Sequence, residues 1–128
     1  MLFFDKVLAQ EPENNNTLYS KAVALHNLGR NEEAITFFDR MLEIDPDNPK
    51  ALNGKGYSLY KQDRHEEANE VLDEALEKEP NDVFILNSKG DVLVGLEEYD
   101  EAIEYYDRVL EVDPDNVEAL NGKRLAQE

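Results

Sequence analysis

The sequence predicts an all-α solenoid built from antiparallel helix pairs, and three observations support this prediction. Four prolines lie 34 residues apart, namely Pro12, Pro46, Pro80 and Pro114. Apolar columns recur at the same spacing, as in Leu18, Leu52, Leu86 and Leu120. Each interval also contains two helical patterns with a polar break between them, which falls at 62–64 in the interval ending at Pro80. A fixed period of this length is typical of stacked helical hairpins.

Capping residues and prolines place the helices in order along the chain. Residues 1–10 match the second helix of a pair, and Asn14 to Asn16 lead into a first helix that Gly29 ends in a left-handed conformation. Asn31 is predicted to cap the following helix, which ends before Pro46 because proline disfavours helical backbone in the residue before it. The predicted helices span 17–28, 32–44, 49–62, 65–78, 83–96, 99–112 and 117–127.

Later intervals repeat these start signals but change one turn residue. Asn48 followed by Pro49 combines a capping side chain with a proline at the first helical position, and Asp82 and Asn116 repeat the cap. Asp63 and Glu97 stand where Gly29 stands in the first pair. Because side chains disfavour left-handed backbone, these two turns are expected either to be strained or to be less regular.

Columns of small and aromatic residues resemble the tetratricopeptide-repeat family. The alanine of its second helix matches Ala34, Ala68 and Ala102; the small residue of its first helix matches Ala22, Gly56 and Gly90; the aromatic position holds Phe38, Leu72 and Tyr106. A lysine column replaces the usual leucine: Lys21, Lys55, Lys89 and Lys123. The resemblance implies a right-handed solenoid with a half-repeat at 1–14, repeats at 15–48, 49–82 and 83–116, and a C-terminal capping helix at 117–128.

Apolar spacing indicates which faces form the core. Leu52, Gly56 and Leu59 fall on one stripe of a first helix, and Ala68 and Leu72 belong to the facing stripe of its partner. Small residues at these positions allow close helix approach. We therefore interpret them as core residues and not as a cofactor pocket.

The resemblance also implies a concave groove lined by the first helices, which would bind an extended or helical segment of a partner protein. Carried over by position, the groove residues are Tyr19, Val23, His26, Lys50, Asn53, Tyr57, Tyr60, Phe84, Asn87, Asp91 and Asn121. Asn53, Asn87 and Asn121 form a column whose amides could pair with a peptide backbone or with a neighbouring helix. For the lysine column we expect stems along the helix seams and ammonium groups in water or beside carboxylates.

Composition excludes several other classes of function. The chain lacks cysteine, so it has no disulfide framework, thiolate metal site or cysteine nucleophile, and no cofactor or metal is predicted. A net charge of −17 opposes binding to nucleic acid or anionic lipid. No apolar run predicts a signal peptide or membrane span, so a cytoplasmic protein is expected. Asp113 to Asn116 resembles the start of a calcium loop but lacks its later glycine and glutamate.

Charge is distributed unevenly between the two kinds of helix. The first-helix segments 15–28, 49–62, 83–96 and 117–128 hold seven Lys and Arg against three Asp and Glu, so the acidic residues concentrate on the second helices and the turns. We interpret the acidic wall as a solvated outer surface and expect an apolar or mildly basic ligand in the groove.

Catalysis is not predicted, because His26 and His65 lie on different helices without a nucleophile or second ligand at a usable spacing. The groove columns also lack the Lys, Asn and Arg set with which the family clamps a terminal carboxylate. The predicted function is a protein interaction scaffold. A structural module that pairs with itself is the alternative.

The two ends of the chain differ in apolar character. Met1, Phe3, Phe4 and Val7 have no first helix before them to pack on, which predicts either pairing of two copies through residues 1–8 or a longer parent protein. At the other end, Arg124 and Gln127 replace core residues of the full repeats, which predicts a polar outer face.

Overall fold

The computed structural model describes residues 1–10 and 14–128, and these residues form eight α-helices joined by short turns. Pro12, the first proline of the 34-residue series, lies outside the described residues. Three hairpins pair α2 with α3, α4 with α5, and α6 with α7, so the fold is an all-α solenoid of helix pairs. The helices are α1 Leu2–Gln10, α2 Asn15–Asn27, α3 Asn31–Ile44, α4 Pro49–Lys61, α5 His65–Lys78, α6 Val83–Gly95, α7 Tyr99–Val112 and α8 Val117–Gln127.

Side-chain caps begin the first helix of each pair. The Oδ1 atom of Asn48 accepts hydrogen bonds from the backbone N–H groups of Lys50 at 3.0 Å and Ala51 at 3.2 Å. Asp82 and Asn116 cap α6 and α8 in the same way, which confirms the predicted cap column. The prediction for Asn31 is wrong, because this residue is the first helical residue of α3 and its side chain contacts His26 instead.

The turns inside the three hairpins share one conformation despite their different residues. Gly29 has a φ of 80°, and Asp63 and Glu97 adopt 60° and 63°. Each turn is closed by the same pair of backbone hydrogen bonds, such as those from Asp63 N to Tyr60 O and from Arg64 N to Leu59 O, both 3.0 Å. The expectation of less regular turns is therefore wrong. The alternative holds: two non-glycine residues accept left-handed backbone.

Apolar residues form three successive clusters along the solenoid. The middle cluster contains the predicted stripe residues Leu52, Leu59, Ala68 and Leu72 and extends to Ile85 on the next pair. Its neighbours centre on Phe38 and on Tyr106, both almost fully buried. Each hairpin thus buries its faces on the hairpins beside it, as expected for a repeat protein without one central core.

A ladder of ion pairs crosses the seams between consecutive helix pairs. Each lysine of the lysine column contacts an aspartate sixteen residues earlier, on the preceding second helix. The pairs are Lys21–Asp5, Lys55–Asp39 at 2.8 Å, Lys89–Asp73 at 2.5 Å and Lys123–Asp107 at 2.6 Å. This arrangement confirms that the lysine column is structural. Its aspartates, at 5, 39, 73 and 107, form a 34-residue column that the sequence analysis missed.

The α8 helix corrects the expectation of a polar outer face. Arg124 and Gln127 are exposed as predicted, but Leu120 and Leu125 are exposed as well. Leu120 belongs to the column of Leu18, Leu52 and Leu86, all three of which are buried. The exposed surface of α8 therefore combines polar and apolar side chains.

None of the described helices combines the length and apolar composition that crossing a bilayer requires.

Candidate functional site

A cavity of about 260 Å³ opens on the face formed by the first helices α2, α4 and α6 and by α8. Its walls come from residues that recur along these helices and from one second-helix side chain. The lining residues are Tyr19, Val23, His26, Asn27, Phe38, Asn53, Gly54, Tyr57, Phe84, Asn87, Ser88, Asp91 and Glu118. A neighbouring cavity of about 300 Å³ shares Tyr19, Asn53 and Phe84 with it and adds Lys50.

Aromatic rings dominate one wall of the cavity. The ring centroids of His26 and Tyr57 lie 5.0 Å apart, and those of Tyr19 and Phe38 lie 6.1 Å apart. Phe84, the second residue of α6, is 69% exposed at the opening. Such rings offer a ligand apolar contact area with few rotatable bonds to fix.

Small residues allow the floor of the cavity to form. A Cβ atom built on Gly54 would lie 2.3 Å from the Cζ atom of Phe38, so any side chain there would displace this ring. Ser88 occupies the equivalent position one repeat later. The sequence analysis missed this small-residue column at 20, 54, 88 and 122, although its spacing is visible in the sequence.

Hydrogen bonds fix the His26 ring. Its Nδ1 atom lies 2.7 Å from Oδ1 of Asn31 and 3.3 Å from Oγ of Ser58, a buried residue of α4. Because the Asn31 oxygen can only accept, Nδ1 donates this hydrogen bond. His26 is therefore held by both α3 and α4.

Two carboxylates from different helices, Asp91 on α6 and Glu118 on α8, give the cavity a negative end. The hydroxyl group of Tyr106 donates a hydrogen bond to Oδ1 of Asp91 at 2.5 Å. Burial raises the pKa of the Asp91 carboxyl above its ordinary value; the Tyr106 hydrogen bond opposes this shift and the Glu118 charge adds to it. Burial and the Asp91 contact also raise the pKa of Tyr106, which therefore stays a proton donor.

The three asparagines of the predicted column have different surroundings. Asn87 is 3% exposed, and its Nδ2 donates to Oδ1 of Asn116 at 3.2 Å. Asn53 is half-buried in the cavity wall, whereas Asn121 is exposed and does not line the cavity. The Oδ1 atoms of Asn53 and Asn87 have no hydrogen-bond partner among the described residues. The Asn87 amide thus donates a hydrogen bond from Nδ2 to Asn116, the cap residue of α8, whereas its Oδ1 accepts none from the described residues.

Lysines stand at the edge of this surface. The Nζ atom of Lys61 lies 5.4 Å from the ring centroid of Tyr57 and 5.6 Å from that of Tyr60, and Lys50 lies 5.7 Å from Tyr19. These distances allow cation–π attraction. Tyr60 itself packs against the middle apolar cluster and His65, outside the cavity lining.

The structure therefore brings together most of the predicted groove residues, namely Tyr19, Val23, His26, Asn53, Tyr57, Phe84, Asn87 and Asp91. Lys50 lines the neighbouring cavity, and Tyr60 and Asn121 lie outside both. Within residues 1–10 and 14–128, no group of three or more His, Asp or Glu side chains is arranged to hold a metal ion.

The N-terminal helix presents a separate apolar surface. Leu2 is 78% exposed and Phe3 is 71% exposed, with Met1 beside them. Phe4 and Val7, which the sequence analysis grouped with Met1 and Phe3, are half-buried. Leu2 is the exposed residue of this surface that the sequence analysis did not select.

Comparison with known proteins relates this geometry to a family. A family model described as anaphase-promoting complex, cyclosome, subunit 3 matches residues 1–75 and 27–109. No curated protein matches the chain.

Several solved structures share the fold. The first TPR domain of human RPAP3 has 24% identity and a TM-score of 0.84, and the match covers 91% of each chain. The first TPR of Spaghetti (RPAP3), bound to the HSP90 peptide SRMEEVD, has 23% identity and a TM-score of 0.83 over 90% of this chain and 91% of that one. MamA has 24% identity and a TM-score of 0.82 over 96% of this chain and 72% of that one. At these identities the likeness shows the fold.

Proposed function

We propose that this chain, which belongs to the tetratricopeptide-repeat family as its match to the anaphase-promoting complex subunit 3 model shows, is an interaction scaffold. In this proposal it binds an extended or helical segment of a partner protein in the cavity lined by α2, α4, α6 and α8. The observation that carries the proposal is the clustering of Tyr19, Tyr57 and Phe84 in one opening. Asn53 and Asn87 line the same cavity, and their buried Oδ1 atoms have no hydrogen-bond partner among the described residues. Partly exposed rings beside amide side chains suit a peptide, which supplies apolar side chains and backbone polar groups together.

Solved relatives of the same fold support peptide binding as the type of function. The first TPR of Spaghetti binds an HSP90 peptide, and the second TPR domain of human RPAP3 binds the HSP70 peptide SGPTIEEVD. Both peptides end in acidic residues. The cavity of this chain carries Asp91 and Glu118, so a ligand of the opposite charge suits it better.

Replacing Tyr57 and Phe84 by alanine is expected to weaken peptide binding by more than about tenfold, because aromatic anchors at the centre of an interface usually supply most of its affinity. The probe is a synthetic array of N-acetylated, C-amidated random peptides of about twelve residues, long enough to extend along several helices. Peptides that bind the wild type are then titrated against Tyr57→Ala/Phe84→Ala by fluorescence polarisation. Tyr60 is left unchanged because it packs against the core.

Tyr99→Ala provides the control, since Tyr99 is a partly exposed tyrosine at the start of α7 and lies outside the cavity. It is expected to leave the affinity unchanged. Retained binding in the double variant, or equal loss in the control, would place the peptide elsewhere.

A second candidate function is pairing of two copies through the N-terminal surface, favoured by the exposure of Leu2 and Phe3. Large exposed apolar side chains that lie together commonly mark an interface. Leu2→Glu/Phe3→Glu is expected to convert a dimer to a monomer in sedimentation velocity. Ala9→Glu/Gln10→Glu adds the same charge to exposed positions of α1 and should leave the dimer intact. A wild type that sediments as a monomer at high concentration rejects this candidate.

A further inference from the structure

One carboxylate of the cavity differs from those that line the seams of the solenoid. The aspartates of the seams each contact a lysine of the next helix pair, as Asp39 does with Lys55. Asp91 occupies a groove column that holds Val23 in the first pair and Tyr57 in the second. Among the described residues no Lys, Arg or His lies within ion-pair distance of its carboxylate, whose assigned partner is the Tyr106 hydroxyl. A partly buried carboxylate without a cation is costly to keep in a fold.

A second, independent observation lies one helical turn earlier on α6. Asn87 is 3% exposed and lines the same cavity, and its Oδ1 has no partner among the described residues. The amide orientation follows from chemistry. Oδ1 of Asn116 already accepts the Ala119 N–H at 2.9 Å as a helix cap, so the Asn87 atom facing it must be the donor Nδ2. A buried acceptor oxygen of a cavity-lining residue is therefore left over, one helical turn from Asp91.

The neighbouring groups of the described residues add further acceptors. Glu118 contributes a second carboxylate from α8, and Asn53 contributes another amide oxygen without a partner. The Lys61 charge influences Asp91, but its ammonium group lies over the rings of Tyr57 and Tyr60. This end of the cavity thus offers acceptors to a ligand that brings its own donors and a positive charge.

We infer that the Asp91 end of the cavity is a subsite for one basic side chain, lysine or arginine, of the bound peptide. The inference rests on the proposed function and adds the chemistry of the ligand to it. The cationic group of the ligand donates hydrogen bonds to Asp91, Glu118 and the free oxygen of Asn87. Its aliphatic stem packs against Tyr57 and Phe84, whose faces also attract a cation.

Such a subsite would select peptides mainly because a peptide without the basic residue binds more weakly. A neutral residue in place of the basic one leaves buried acceptors unpaired, and the carboxylate again lacks a counter-charge. An acidic residue adds repulsion from two carboxylates. One position of the peptide should therefore accept only Lys or Arg, while its neighbours tolerate many apolar residues.

The test compares peptide selection by the wild type and by Asp91→Asn/Glu118→Gln on the capped peptide array described above. Acetylated N-termini remove the α-amino group as an alternative source of the charge, and about 150 mM salt screens the outer acidic wall. Wild-type binders are expected to share Lys or Arg at one position. Replacing it by Gln should weaken wild-type binding by about tenfold or more, but variant binding by less than about twofold.

Two features keep this comparison specific. Asp91→Asn retains an oxygen that accepts the Tyr106 hydrogen bond, so the variant is expected to fold, and thermal unfolding verifies this. Glu66→Gln/Glu70→Gln removes the same net charge from exposed positions of α5 and should keep the tenfold preference.

The possible results distinguish failure of the basic subsite from failure of peptide binding in the cavity. Binders without a shared basic position, an unchanged preference in Asp91→Asn/Glu118→Gln, or its loss in the α5 control would each overturn the subsite while leaving a peptide groove in place. If no peptide depends on Tyr57 and Phe84, the proposed function fails first, and the subsite fails with it.

Discussion

Replacing Gly56 by leucine is expected to destabilise the protein by about 1 to 3 kcal/mol or more, because a large side chain has no space at this helix crossing. Gly56 is buried on α4 and faces Leu72 of α5, which has no exposed surface. A Cβ atom at position 56 would lie 2.8 Å from both Cγ and Cδ2 of Leu72. Either Leu72 changes rotamer or the α4–α5 hairpin opens, and both disturb the middle apolar cluster.

Chemical denaturation measures the loss, and hydrogen exchange locates it. Because the stability of a stacked array is nearly a sum of repeat and neighbour contributions, exchange should accelerate most within 49–82. Lys50→Leu is the control, since it places leucine on an exposed position of the same helix. Uniform acceleration along the chain would show instead that the solenoid unfolds as one cooperative unit.

Asp73→Asn is expected to cost about 1.5 to 3 kcal/mol, the range for a lost hydrogen bond to a charged group. Its partner Lys89 has a side chain only 4% exposed, so the ammonium group cannot recover its hydration when the counter-charge is removed. Asn69 also contacts this ammonium group but carries no charge. The loss should depend less on salt than that of an exposed pair, because the Lys89 ammonium group is buried although the Asp73 carboxylate is 55% exposed.

Asp39→Asn is the matched control from the equivalent seam. Lys55, its partner, is 28% exposed, so the expected loss is below about 1 kcal/mol and shrinks with added salt. Lys89→Met removes the buried charge itself and should cost less than Asp73→Asn, because no ion is then left unpaired. Equal losses for the two aspartates would mean that burial of Lys89 does not set the strength of its pair.

The sequence by itself determined the repeat, the helices and the core columns. A 34-residue period places each residue of a column in nearly the same environment, so one interval such as 49–82 explains the others. Helix boundaries agree with prediction to within about two residues, as is usual where caps and prolines mark them. The groove columns were also predicted, but only through the resemblance to the tetratricopeptide-repeat family, from which they were carried over by position.

Only the tertiary structure decided what the periodic positions contact. Tyr57 lines the cavity while Tyr60, three residues later, packs against the core, because the two side chains point about 60° apart around α4. The Lys89–Asp73 contact joins different helix pairs across sixteen residues, a relation that depends on how neighbouring hairpins are stacked. Local sequence patterns do not show how neighbouring hairpins are stacked.

The conformation of the turns and the negative end of the cavity also could not be predicted from the sequence. Asp63 and Glu97 adopt the conformation of Gly29 because packing of the flanking helices outweighs their preference against left-handed backbone. Nothing in the sequence distinguishes Asp91 from the many exposed acidic residues of the chain. Its partial burial, its hydrogen bond from Tyr106 and the pairing of the nearby Asn87 amide with Asn116 arise only when α6, α7 and α8 meet, because burial and these contacts are properties of the assembled helices and not of single residues.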